Sequence, residues 1–381
     1  GGTWVGRMAL DSREAFPVLT ADLRGEDVAL GDLAIGALTL RLEEPGSASL
    51  FVEATDIALN DTLIDAFSLQ RAGQAPAAPD GAQELTVSAR QADWILIASS
   101  RGTLSKNRSF AQTAWRGTLD TAQLRQGEGP LLELQSSSPL ELSAEQIALR
   151  DACFELQTGG ALCMSLERAQ ATGLDIVGEF RELSLALLGR FSLDGLASTQ
   201  VLDGPFRWSW QPAAGPEGSA DLSLSAGEIY DPNADEFEIE VGAGALGFQL
   251  SDGTLSNGRL DLLLPGAGHV RSTFEIDGVR LDGTGQLRGN LEIDLENLQL
   301  FDEFIDTVQD LTGTLRLSMA LSGVTADPKF NGGFDLSGVS FLVPSLGTQI
   351  SELSFRGRVD NADRLTLRGP FQAGEGSGTL A

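Results

Sequence analysis

Histidine and cysteine are almost missing from this chain, and that scarcity removes whole classes of chemistry. One histidine, His269, and two cysteines, Cys153 and Cys163, in 381 residues supply neither a zinc ligand set nor a Ser-His or Cys-His nucleophile. Basic residues are short as well: 26 Lys and Arg stand against 54 Asp and Glu, for a net charge of −28 and a pI near 4.2. Such a surface repels phosphate backbones and anionic bilayer faces, which excludes nucleic acid as a partner and charge-driven membrane attachment. No apolar run approaches the ~20 residues of a membrane-spanning helix, and no signal peptide opens the chain. A helical period is absent outside 298–311, so the pattern is not that of an α/β enzyme. The GGxGxD repeat of a calcium-binding β-roll is also missing. Aromatic residues make up only 6%, so an apolar surface built from this chain is mostly leucine and smooth.

Two motifs invite a chemical reading and fail it on context. Gly242-x-Gly244-x-x-Gly247 matches the dinucleotide fingerprint, but Phe248-Gln-Leu250 follows as a strand where a helix N-terminus is needed. The glycines read as a β-turn instead. The acidic residues alternate with apolar ones at strand spacing, which reads as the wet face of a sheet; sequence spacing says nothing about separation across strands, so a glycosidase-type carboxylate pair among them stays the alternative. Arg101, Lys106 and Arg108 form a small basic cluster that reads as a solvated loop. The chain is therefore expected to be no enzyme, with no cofactor and no metal.

What is present is a long series of short alternating segments. The 42% apolar content rules out a wholly disordered acidic chain, and 45 glycines with 14 prolines suit many strands joined by tight turns. Turn signals recur about every ten to fourteen residues. Loops are expected over 70–84 (QRAGQAPAAPDGAQE) and over 212–218 (PAAGPEG). Parity shifts beside Gly31 and Gly36 mark bulges or tight turns. Trp94 and Trp115 are large apolar anchors. Phe301, Phe304, Ile305, Val308 and Leu311 recur at three-and-four spacing, which predicts a short amphipathic helix over 298–311.

Alternation assigns one apolar side, and the residues placed on it come in sets. The N-terminal sets are Leu38, Leu40, Leu42 and Val52, then Leu183, Leu185 and Leu187, then Leu222 and Leu224. Phe237, Ile239 and Val241 follow, with Phe248 and Leu250, Leu260 and Leu262, and Phe274 and Ile276. The C-terminal sets are Leu291, Ile293 and Leu295; Leu315, Leu317, Met319 and Leu321; Phe334 and Leu336; and Leu353 and Phe355.

An alternating sheet must bury its apolar side. It can do so in a sandwich or solenoid filled by its own side chains, or by curling lengthwise into a gutter covered by a ligand. The few aromatics and the acidic opposite face, without a second apolar stripe, favour the gutter. The expected fold is all-β and elongated: one continuous, mostly antiparallel array over 1–381, curled into a U-shaped, taco-like groove with an apolar interior. About thirty strands at ~4.8 Å spacing would make it a rod of about 145 Å.

Cys153 and Cys163 bracket CFELQTGGALC, where Thr158-Gly159-Gly160 reads as a hairpin turn. A three-residue loop would set the two cysteines opposite each other, within disulfide reach. The alternative is a pair of buried free thiols. A disulfide would require an oxidising compartment such as the periplasm.

The order of features between Leu291 and Leu336 resembles the repeat of the TamB family, in the wider AsmA-like group. That signature is a helix, Gly-x-Leu, an alternating strand, an apolar-x-Gly, a Pro and Gly-x-apolar-x-apolar. Here the places are Gly313, Leu315, Leu321, Gly323, Pro328, Gly332 and Phe334. The Cys153–Cys163 hairpin and the preceding Trp115-Arg-Gly117 strand are similar to features of the same family. The resemblance is best from Trp115 onward; residues 1–110 match only as generic strands.

It implies a bridge-like carrier of phospholipid between the inner and outer membranes, with acyl chains sliding in the groove, in the periplasm of a Gram-negative bacterium. It also implies a TamA-like outer-membrane partner engaged through other regions, an inner-membrane anchor upstream, and a central or C-terminal fragment of a longer chain. The acidic exterior, poor in cations for phosphate, points to selection by tails and not by headgroup. The competing readings are a filled β-helix serving as an adhesin-like stalk, and a scaffold for outer-membrane protein (autotransporter) assembly.

Overall fold

The computed structural model describes residues 1–11, 18–30, 33–44, 49–59, 62–73, 82–105, 114–127, 129–169, 173–186, 197–211, 215–230, 238–278, 285–299, 307–360, 364–373 and 376–380. The chain is nearly all strand. Twenty-four strands belong to one hydrogen-bonded antiparallel sheet and three to a small second one. Two compact units divide the chain, Gly1–Ile176 and Val177–Ala381.

The first unit begins as a plain meander. Its strands are β1 (Thr3–Asp11), β2 (Val18–Leu30), β3 (Leu33–Glu44), β4 (Ser49–Leu59), β5 (Thr62–Gly73), β6 (Gln83–Gln91), β7 (Trp94–Ser105) and β8 (Ala114–Gln126). Each pairs antiparallel with the next. The loop expected over 70–84 is narrower than its composition suggests. Gln70 pairs with Thr86 and Gly73 with Gln83, because ladder hydrogen bonds extend wherever neither strand carries a proline.

A broken strand follows. β9 (Gly129–Leu134) pairs with the end of β8, and β10 (Ser138–Ser143) with its beginning. β11 (Gln146–Leu156) closes on both pieces. At the break, Ser138 is 1% exposed and its hydroxyl donates to the Ser136 carbonyl at 3.2 Å. Leu119, Ala122, Leu134 and Ala152 form the buried cluster here. β12 (Ala161–Ala169) pairs with β11 and sets Cys153 opposite Cys163, 4.0 Å apart at Cα and joined by a disulfide. Gly159 and Gly160 make the turn with φ of 92° and 83°, values that an L side chain rarely adopts. β13 (Gly173–Ser184) follows.

The second unit interleaves two sheets. β14 (Ala197–Ser198) precedes the long hairpin of β15 (Val201–Gln211) and β16 (Gly215–Leu224). The loop expected at 212–218 is also shorter, since Pro216 pairs with Trp210. The chain then leaves for β17 (Gly227–Tyr230) and β18 (Glu238–Val241), which form the small sheet with β14. It returns as β19 (Gly244–Ser251) beside β16.

From there the meander runs through β20 (Thr254–Leu264), β21 (Gly268–Asp277), β22 (Gln286–Leu295), β23 (Gln309–Val324), β24 (Asp327–Val343), β25 (Thr348–Asp360), β26 (Arg364–Ala373) and β27 (Gly376–Leu380). Every one of these pairings is antiparallel, so a parallel β-helix stalk is excluded.

The helix expected over 298–311 needs a correction at its end. Residues 300–306, with Phe301, Phe304 and Ile305, lie outside the described residues, but Gln309, Asp310 and Leu311 already belong to β23. Leu311 is buried with Leu295, Leu298 and Val339. It reaches that cluster through a bulge at Asp310, which takes a φ of 55°. A bulge turns a side chain onto the required face without a helix, and its one-residue offset imitates a helical spacing in sequence.

Candidate functional site

The candidate site is the apolar side of the sheet, and strand register builds it rung by rung. Residues opposite each other in an antiparallel ladder share a face, so apolar residues at matching positions line up across the strands. In the second unit one such row is Leu262, Val270, Ile293, Leu317 and Phe334, from β20 to β24. A second is Leu260, Ser272, Leu291, Met319, Gly332 and Val359. A third crosses Leu295, Leu315, Leu336 and Phe355. Ile276 pairs with Leu287, Leu321 with Phe330, and Leu353 with Val339. Most of these side chains are only half-buried, while the residues between them, such as Arg316, Ser318 and Ala320, are exposed. Within this stretch the strands pack beside one another, and among the described residues no second layer seals their apolar side.

Glycines keep that surface low. The Phe334 ring lies across Gly357, where a Cβ would come within 2.2 Å of ring atoms, and the Phe274 ring lies across Gly258 in the same way. A ring with glycine opposite it can fold down along the sheet; opposite a larger residue it would stand upright.

The first unit repeats the arrangement. Leu23, Leu40, Val52, Leu69, Val87, Ala98 and Ala122 form one row from β2 to β8. Leu38 lies opposite Ala54, and Leu42 opposite Leu50.

Other residues assigned to the apolar side differ in cover or in place, Leu222 and Leu224 sharing rungs with Leu260 and Leu262. Leu222 and Leu224 are 6% and 7% exposed, and Leu183, Leu250 and Leu295 are also buried. Ile239 and Val241 belong to the small sheet, where Val241 is 2% exposed. Phe248 pairs with Ala220, and the Leu185 amide donates to the Gln200 carbonyl at 3.0 Å. Leu187 and Phe237 lie outside the described residues.

Gln200 anchors the place where the small sheet meets the large one. It is 3% exposed, and its side-chain amide donates to the carbonyls of Ser225 at 2.9 Å and Gly242 at 3.5 Å. Its backbone amide donates to the Ser198 hydroxyl. The Gly242 amide then donates to the Leu263 carbonyl at 2.7 Å. The Gly242-x-Gly244-x-x-Gly247 run thus ends β18 and opens β19, with backbone close by: a Cβ on Gly244 would be 2.5 Å from the Asp261 carbonyl.

The opposite side carries features that alternation alone did not reveal. Charges pair across strands: Arg259 with Asp221, Arg271 with Asp261, Arg316 with Asp294, and Arg356 with Asp335. Exposed pairs of this kind are worth ~0–1 kcal/mol each. His269 opens β21 beside a depression of about 240 Å³ whose rim includes Arg271, Asp294 and Arg316.

Apart from the one beside Gly36, the bulges also escaped the alternation. Asp27, Asp56, Asp151, Glu182, Asn257, Asp310 and Glu352 all have positive φ. Asp27 stands at the rung of Gly36, and a Cβ on Gly36 would meet Asp56 at 2.9 Å, so one kink crosses three strands. The parity shift at Gly36 was its trace in sequence.

Comparison with known proteins adds one match. The family model described as TamB, N-terminal domain, covers residues 1–336, whereas the motif order had suggested a central or C-terminal position. No curated protein and no solved structure matches the chain. With nearly nine-tenths of its length under that model and a nearly all-β antiparallel fold, the chain belongs to the TamB family.

Proposed function

We propose that this chain is a stretch of a periplasmic carrier that moves phospholipid between the inner and outer membranes, its acyl chains lying on the apolar rows. The observation that carries the reading is the run of half-buried leucines and phenylalanines across β20–β25, with charged residues on the other side. A burial of ~0.8 kcal/mol per CH₂ gives a sixteen-carbon chain ~12 kcal/mol over exposure to water. Neighbouring rungs are chemically alike, so a chain could shift from one to the next without a deep trap. Membership in the TamB family supports the same reading; by the resemblance above, the outer-membrane partner is TamA-like and engages other regions. The chain itself acts by binding and not by catalysis.

Photo-crosslinkers test this directly in the full-length protein. At Ile293, Leu317 and Phe355 they should capture phospholipid, and at Glu238 and Asp294 they should not. Capture at both parities, or at neither, would remove the lipid-carrying face. Capture of protein in place of lipid would transfer the face to the scaffold reading.

A further inference from the structure

One rung of the first unit breaks the apolar pattern. From β3 to β8 it reads Leu42, Leu50, Arg71, Leu85, Ser100 and Leu119. Arg71 is 6% exposed and Ser100 is 3% exposed. A buried arginine is rare, and one on a face built of leucine needs a reason. Three further polar groups lie on the next strands, β6 to β8. Trp115, 3% exposed, donates its indole N–H to the Ser100 hydroxyl at 2.8 Å, which leaves that hydroxyl's own proton to be donated onward. Gln83 lies diagonal to Arg71 on the same face, opposite Gly73 and Gly102. Its amide oxygen is buried with no hydrogen-bond partner among the described residues. Arg71 and Ser100 stand two strands apart, about 10 Å at the usual ladder spacing, with the Leu85 side chain as the floor between them.

We infer that Arg71, Ser100, Trp115 and Gln83 form a polar station on the apolar face that takes the phosphate diester and the hydrogen-donating headgroup of a phospholipid. A guanidinium has five N–H donors in a planar fork, so it can serve a contact within the fold and a phosphate together. The Ser100 hydroxyl adds a further donor toward the phosphate. The Gln83 carbonyl oxygen needs a donor, which the ammonium of an ethanolamine headgroup or a hydroxyl of a glycerol headgroup supplies. A choline headgroup has no N–H or O–H to offer. The station therefore sorts by headgroup at one point on a face that otherwise sorts by tail. It rests on the lipid-carrying reading proposed above.

The test loads the full-length protein from vesicles containing ethanolamine, glycerol and choline phospholipids of identical acyl chains. Bound lipid is then counted by mass spectrometry. Wild-type protein should retain the ethanolamine and glycerol classes about tenfold over choline, the worth of one hydrogen bond to a charged group. Arg71→Met should hold as much total lipid with that preference lost, Arg71→Lys should keep part of it, and Gln83→Leu should admit choline. Should Arg71→Met fail to fold, Arg71→Lys and Gln83→Leu decide. Unchanged headgroup ratios in the folded variants would make Arg71 a structural residue and overturn the station. Loss of the preference on adding free glycerol phosphate would reassign it to a soluble phosphate ester. If wild-type protein held no lipid at all, the carrier reading would fall first, and the station with it.

Discussion

Leu222 and Leu224 on β16 and Leu315 and Leu317 on β23 sit in the same kind of alternating strand, in the same unit, and meet different fates. The first pair is buried and the second half-buried. The difference does not come from the strands themselves. Beside β16 the chain inserts β17 and β18 before returning as β19, and Gln200 ties this small sheet down through Ser225 and Gly242. Among the described residues, no strand is inserted between β21 and β25. The same apolar side is therefore buried in one place and half-buried in another, and the buried place is the one beside the detour.

Replacing one leucine in each region should break the comparison if it is wrong. Leu224→Asp puts a carboxylate where there is no water, and about 3–5 kcal/mol of stability should be lost. Leu317→Asp, half-buried, should cost roughly 1 kcal/mol or less and act instead on lipid capture. Urea midpoints followed by a reporter in the second unit read both; equal losses would mean the two faces are equally covered.

Gln200→Leu sharpens the point at smaller scale. It leaves the Ser225 and Gly242 carbonyls without their donor, a loss of about 1–3 kcal/mol. Hydrogen exchange should quicken around β14, β17 and β18 while β22 to β24 keep their protection. Faster exchange across all of these strands would show that the small sheet is not separately anchored.

Arg316→Ala should have the smallest effect. Its exposed contact with Asp294, at 3.4 Å, is worth well under about 1 kcal/mol and fades with added salt. A larger, salt-insensitive loss would mean that the charged rungs hold the open region together in place of a covering layer.

Much of this architecture was legible because strand alternation has a period of two and survives any packing. Leu291 to Leu295 and Leu315 to Leu321 lie on one face as their parity requires. The cysteine hairpin was legible too, since loop length fixes which residues stand opposite. Covering was not. Alternation reports that one side is apolar, never what lies against it, and Leu222 reads the same as Leu317. Residues 309–311 were assigned to a helix because a bulge at Asp310 shifts the parity by one, as a turn of helix does. The Asp–Arg rungs escaped notice because cross-strand partners lie tens of residues apart; Asp294 and Arg316 meet only once register is known. Arg71 was lost within a segment that composition marked as loop.

The bulges carry a consequence for mutational tolerance. At Asp27, Asp56, Asp151 and Asp310 the backbone sits in the left-handed region, which glycine enters without strain and asparagine or aspartate at little expense, while β-branched side chains clash with the neighbouring carbonyl. Substitution preference at these places should run against the usual order for strands. Valine and isoleucine, the best strand formers, are shut out by the same backbone turn that bends the sheet, and glycine, among the poorest, is the replacement that fits.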